Sequence, residues 1–133
     1  LDGGRFRWSG EIPPAVIVIA YVIYLFGNGL ASWAVSANPF FSSESRLQTD
    51  RGQKVAHSGP YRFVRHPAYV AAILLWPVTG LLVESWWAAI PGLLAALAMF
   101  IRAIYEDRML QASLPGYVEY VQEVRYRLFP GIW

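Results

Sequence analysis

From Pro13 to Ala37 the chain carries no charged residue. About 20 apolar residues suffice to cross a bilayer as a helix, so this run predicts a first span over 13–37. Pro13 and Pro14 suit a helix start, and Asn38-Pro39 supplies a stop. Trp8 and Trp33 lie toward the two ends, where interfacial aromatics belong. A polar, turn-rich stretch follows over 39–67, predicted to be an interfacial loop with short helical pieces, anchored by Leu47 and Val55. A second apolar run extends from Ala68 to Val83 and a third from Trp86 to Ile101, with only Glu84-Ser85 between them. So short a break forces an antiparallel helical hairpin over 68–101. Pro77 and Gly80 in one arm, and Pro91 and Gly92 in the other, are expected to bend or loosen the helices, as neighbours in a membrane permit. From Arg102 the pattern becomes amphipathic, with Leu110, Leu114, Tyr117, Tyr120, Val121 and Val124 on the apolar side. Leu114-Pro115-Gly116 should break this segment into two helices, and an apolar tail, Leu128 to Trp133, closes the chain. The pattern predicts an all-α, polytopic helical membrane protein in a single domain over 1–133: three spans, two of them a tight hairpin, then interfacial helices over 102–133.

Composition sharpens this picture. The 133 residues are 56% hydrophobic and only 15% charged, against about 25% charged in an ordinary soluble domain. The net charge of +2 is too small for a nucleic-acid binder. The absence of cysteine excludes disulfides, thiolate zinc sites and thiol catalysis. Leu1 is not an initiator methionine, so a fragment or a processed product is expected. Arg46, Arg51, Lys54, Arg62 and Arg65 fall in the 39–67 loop, Arg102, Arg108, Arg125 and Arg127 in the C-terminal segment, and none at the hairpin tip. The positive-inside rule then places loop and C-terminus together on the cytoplasmic side.

The densest polar constellation is Gly59-Pro60-Tyr61-Arg62-Phe63-Val64-Arg65-His66-Pro67-Ala68-Tyr69. Its prolines fix φ and hold the preceding residues extended, so Arg65 and His66 stand at a helix entrance. There free N–H groups and a partial positive charge favour a carboxylate or phosphate. Arg62 reads as an ordinary inner-leaflet cation. Arg102 and Glu106, four apart, share a helix face. They are either a snorkelling pair or a site, since charge at a membrane edge is costly. With Asp107 adjacent, one carboxylate can serve Arg102 while the other points elsewhere. Such a carboxylate could hold an amine or a ribose hydroxyl. His57 reads as a solvated loop side chain. Gly27-Asn28-Gly29 reads as close helix packing, with Asn28 bonding to a neighbouring helix. Tyr117, Tyr120 and Tyr126 read as interfacial packing, and Arg125 and Arg127 as surface cations that could otherwise face a phosphate or contact a cofactor. A Gly-x-Gly-x-x-Gly loop, a P-loop, a serine elbow and a clustered metal set are all missing from the sequence.

The Gly59 to Tyr69 segment, the acidic pair Glu106-Asp107 after an apolar hairpin, Gly116-Tyr117-x-x-Tyr120, and Arg125-Tyr126-Arg127-Leu128-Phe129-Pro130-Gly131 together resemble the isoprenylcysteine carboxyl methyltransferase family, to which the phospholipid methyltransferases are related. The resemblance runs from about Arg46 to Trp133, with Glu-Asp where that family commonly has Glu-Glu. It implies a polytopic membrane enzyme that uses S-adenosylmethionine, framed near the cytoplasmic face by Tyr61, Val64, Arg65, His66, Pro67, Tyr69, Glu106 and Asp107. It implies no metal, no nucleic-acid partner, and a lipophilic substrate drawn from the bilayer lipids. A substrate carboxylate is already ionised at neutral pH, so its O-methylation needs no general base, and Arg65 and Arg102 are the residues expected to neutralise it. The alternatives are N-methylation of a phospholipid or other amine, which would want His66 or Glu106 as a base, a non-catalytic lipid-binding subunit, and a membrane reductase.

Overall fold

The computed structural model describes residues 8–42 and 52–132. Arg46, Leu47, Arg51 and Trp133 therefore lie outside the described residues. Among those described there are four α-helices and no strand: α1 over Pro14–Ala37, α2 over Pro67–Leu82, α3 over Trp86–Ser113 and α4 over Tyr117–Glu123. A single turn of 3-10 helix, Gly59–Arg62, precedes α2.

Helix α1 starts with Pro14 in its first turn. It ends at Asn38, whose side-chain oxygen accepts from the Phe40 N–H at 3.0 Å. Its buried residues are small and seven apart: Ala20, Gly27 and Ala34. They let the backbone approach α2 closely, and a Cβ at Gly27 would lie 2.9 Å from the Leu75 side chain. Gly29 has open space instead, so only one glycine of the pair packs. Asn28 does not reach a neighbouring helix as the sequence led us to expect. Its amide donates to the Tyr24 carbonyl of its own helix at 2.7 Å. A polar side chain in an apolar span is thus satisfied one turn back, the partner nearest to hand.

The hairpin forms where expected. Glu84 takes a left-handed φ of 55°, and the Ser85 hydroxyl caps α3 by accepting from the Ala88 N–H at 3.1 Å. The glycines do not loosen the arms. A Cβ at Gly80 would sit 2.3 Å from the Ala89 nitrogen, and one at Gly92 would sit 2.4 Å from the Trp76 carbonyl oxygen. They are the points at which the two backbones touch. Pro77 and Pro91 lie inside helices that continue past them.

Helices α1 and α3, of 24 and 28 residues, are long and apolar enough to cross a membrane. Only 11% and 17% of their apolar stretches are buried inside the protein, which is not how the core helix of a soluble protein behaves. Val18, Val22, Leu25 and Phe26 on α1, and Leu93, Leu94 and Leu97 on α3, are all exposed. Both helices are candidate membrane spans. Helix α2 has 16 residues, which rise about 24 Å at ~1.5 Å each, short of a hydrocarbon core of about 30 Å. Two spans are therefore shown where three were expected.

The change of polarity at Arg102 does not interrupt the backbone. Helix α3 runs through it to Ser113, and so carries Arg102, Glu106 and Asp107 out of the apolar part in register with it. It stops because Leu114 is held extended (φ −101°, ψ 115°) before Pro115. Gly116, at φ 81°, then turns the chain into α4. Two apolar clusters flank this corner. Leu110, Leu114, Tyr117, Tyr120 and Val124 pack α4 on the end of α3. Val64, Val70, Ala103 and Leu128 tie the Arg-His-Pro segment and the C-terminal segment to α2 and α3.

Candidate active site

Pro67 occupies the first turn of α2 and His66 is its N-cap residue. The segment before it cannot pair with the helix, and its backbone turns to the C-terminal segment. The N–H groups of Arg65 and His66 donate to the carbonyls of Tyr126 and Arg127, each at 2.9 Å. Both side chains are thereby aimed inward, and both residues are 5% exposed.

Asp107 lies at the centre of what they meet, with no exposure at all. Arg65 grips it with two nitrogens, Nε to Oδ1 at 2.8 Å and Nη2 to Oδ2 at 3.2 Å. Arg127 Nε and Gln111 Nε2 each donate to Oδ2 at 2.8 Å. The Tyr117 hydroxyl donates to Oδ1 at 3.0 Å, and His66 Nε2 lies 3.2 Å from the same oxygen. A buried carboxylate is tolerable only with this degree of compensation. The remaining Arg65 nitrogen, Nη1, donates to the carbonyls of Val124 and Arg125, both at 2.8 Å. Among the described residues no buried side-chain nitrogen or oxygen lacks a partner.

Burial, reinforced by the Asp107 carboxylate, pushes the Tyr117 hydroxyl far above the usual tyrosine range. It stays protonated and donates. Burial raises Tyr120 likewise, and its hydroxyl donates to the Tyr61 carbonyl at 2.6 Å, fixing the 3-10 turn over α4. Glu106, one residue from Asp107, faces differently. Its Oε2 accepts from the Tyr69 hydroxyl at 2.7 Å. The Arg102 guanidinium lies 5.9 Å from the centre of the Tyr69 ring, within cation–π reach.

These groups border a cavity of about 380 Å³, within the range of about 300–1,000 Å³ common for small-molecule pockets. Of the residues singled out in the sequence, Tyr61, Arg65, His66, Tyr69, Arg102 and Glu106 line it. Val64 and Pro67 are packed behind it, as is Asp107. Phe40, Lys54, Trp76, Met99 and Tyr117 contribute to the walls as well. The cavity thus has a carboxylate, cations from two parts of the chain, aromatic rings and an apolar flank where α2 and α3 contribute Trp76 and Met99. Among the described residues no cluster of side chains could hold a metal ion.

Sequence reasoning passed over three of these side chains. Tyr117 was read as packing, although it bonds both to Asp107 and, at 3.4 Å, to His66. Arg127, readable in the sequence as a surface cation or as a phosphate or cofactor contact, instead binds the buried Asp107. Gln111 had a usable clue, because it lies four residues beyond Asp107 on one helix face. His57 packs edge-on to Tyr120 at 5.0 Å, with Nδ1 3.9 Å from Glu123, and its side chain is 54% exposed. That is close to the solvated reading.

The donor set fits S-adenosylmethionine. An amino-acid zwitterion needs both signs of charge, which Glu106 and the Arg102 and Lys54 cations offer, and the aromatic walls suit a flat base. A comparison with curated proteins finds no match. A family model described as phospholipid methyltransferase matches residues 15–115. That stretch takes in α1 from its second residue, the Arg-His-Pro segment, the hairpin and the acidic pair. The chain belongs to the phospholipid methyltransferase family, a branch of the isoprenylcysteine carboxyl methyltransferase-related clan of membrane methyltransferases.

Proposed function

We propose that this protein is an S-adenosylmethionine-dependent methyltransferase that modifies a lipophilic acceptor at the cytoplasmic face of its membrane. The observation that carries this reading is a cavity with charged groups at one end and an apolar flank, at the point where α3 leaves its lipid-facing stretch. S-adenosylmethionine, when bound, supplies a methyl group on a sulfonium sulfur; the acceptor's bond to that carbon forms as the carbon–sulfur bond breaks. The chain's own part is to bind and align. Glu106, oriented by Tyr69, offers a carboxylate to an ammonium or to ribose hydroxyls. Arg102 offers a cation to a carboxylate. Trp76, Ala72 and Met99 exclude water and accept a lipid-like tail. Alignment of this kind supplies roughly 7–11 kcal/mol at best, so few titratable groups are required. The positive side chains of the 52–67 stretch and of the C-terminal segment support a cytoplasmic site, and α2 completes the membrane-embedded hairpin with α3, the third apolar helix beside α1 and α3.

For the acceptor we favour a carboxylate of the isoprenylcysteine type. Arg102 places a cation on the cavity wall, and the histidine of the site bonds to Asp107 and Tyr117 instead of standing free as a base. The second reading, N-methylation of a phospholipid amine, is favoured by the description of the matching family model. The pH profile separates them. A carboxylate ionises near pH 4, so its methylation rate at saturating cofactor should be flat from about pH 6 to about pH 9. An ammonium resembling that of lysine loses its proton near pH 10, so amine methylation should climb about tenfold per pH unit over the same range. A flat profile with a prenylcysteine acceptor supports the first reading. A steep one with phosphatidylethanolamine, and no turnover of the prenylcysteine, overturns it.

A further inference from the structure

We propose that Asp107 is a positioning residue. It shapes the cavity only through Arg65, His66 and Tyr117, and does so by stapling the C-terminal segment 124–128 behind them. The geometry separates it from its neighbour. Glu106 lines the cavity; Asp107 does not, and is enclosed on all sides. The three side chains that meet its Oδ1 all line the cavity. The groups on its Oδ2 come from α3, from the C-terminal segment and again from Arg65. One carboxylate therefore joins four parts of the chain: the start of α2, the end of α3, the first residue of α4 and the C-terminal segment.

Charge is what holds the staple. Arg65 and Arg127, with side chains 3% and 25% exposed, both point at Asp107. With a neutral amide in its place, both guanidinium groups would lose the buried carboxylate that they share. The segment that can move to relieve this is 124–128, since Arg127 belongs to it and Arg65 holds it by two carbonyls. Its release would also free the Arg65 and His66 N–H groups, which bond to the Tyr126 and Arg127 carbonyls.

The inference rests on the proposed function only in naming the cavity a cofactor site; the staple is read without cofactor. Hydrogen exchange of the Arg65 and His66 amides, in the full chain in detergent, is the measurement. Asp107→Asn is expected to accelerate both by about a hundredfold while the amides of α1 are unaffected. Asp107→Glu, which keeps the charge, is expected to stay within about threefold of the parent. Adding Arg127→Gln to Asp107→Asn removes one of the two cations at the site and should recover about tenfold. Affinity for S-adenosylmethionine, measured by calorimetry, should fall in Asp107→Asn and persist in Asp107→Glu. Unchanged exchange in Asp107→Asn overturns the proposal. So does loss of cofactor binding with exchange unchanged, which would mean direct contact. A parent protein that binds no S-adenosylmethionine defeats the functional reading and leaves exchange to decide the staple. Should Asp107→Asn fail to fold, as shown by fast exchange throughout α1, Arg127→Gln alone decides. Acceleration confined to the same two amides supports the staple, and none overturns it.

Discussion

Gly80→Ala is expected to pry the α2–α3 hairpin apart. The added methyl would sit 2.3 Å from the Ala89 nitrogen, 2.4 Å from the Ala88 carbonyl carbon and 2.6 Å from its oxygen. All three are backbone atoms, with no rotamer that moves them aside, so the helices themselves must separate. Overpacking of this kind costs about 1–3 kcal/mol and more where relaxation is blocked. The gain in helix propensity over glycine, about 1 kcal/mol, does not offset it. Gly92→Ala meets the Trp76 carbonyl at 2.4 Å and belongs to the same class. Gly29→Ala is the internal control. Nothing lies within 4 Å of its Cβ position, so propensity alone acts there and the variant should be as stable as the parent or more so. Unfolding midpoints in detergent should rank Gly29→Ala at or above the parent and both hairpin variants well below it. Equal midpoints for Gly29→Ala and Gly80→Ala would contradict the close approach of the helices.

Glu106→Gln is expected to weaken S-adenosylmethionine binding with little effect on the fold. Glutamine keeps an oxygen to accept from the Tyr69 hydroxyl, now 2.7 Å from Glu106 Oε2, but loses the charge. A hydrogen bond to a charged group contributes about 1.5–3 kcal/mol, which is a loss of roughly 10- to 150-fold in affinity. Calorimetry on the parent and the variant measures it directly. Affinity unchanged in Glu106→Gln would remove this carboxylate from the cofactor site.

Much of this arrangement is legible in the sequence, because local rules govern it. A charge-free run long enough to span, a two-residue break before Trp86, and Leu114-Pro115-Gly116 each act through their own backbone. His66, directly before Pro67, caps α2 as the proline leads one to expect, although at φ −127° and ψ 62° it is not extended. What local rules do not reach is pairing. Asp107 and Arg65 stand 42 residues apart, and nothing in either neighbourhood announces the other. Arg127 looks like any terminal cation until the C-terminal segment is seen lying along the Arg-His-Pro backbone. The glycines misled for a related reason. Gly80 and Gly92 resemble flexible points in one dimension and are contact points in three. Helix α3 runs unbroken through Arg102 because solvent changes there and hydrogen bonding does not.

The central claim is methyl transfer to a lipophilic acceptor. The most direct measurement is transfer of a labelled methyl group from S-adenosylmethionine by the purified protein in lipid vesicles, offered a prenylcysteine, a fatty acid and phosphatidylethanolamine in turn. The account predicts label in the extracted prenylcysteine, and its loss in Glu106→Gln. No label in any of the three acceptors, together with no calorimetric binding of S-adenosylmethionine, would contradict it.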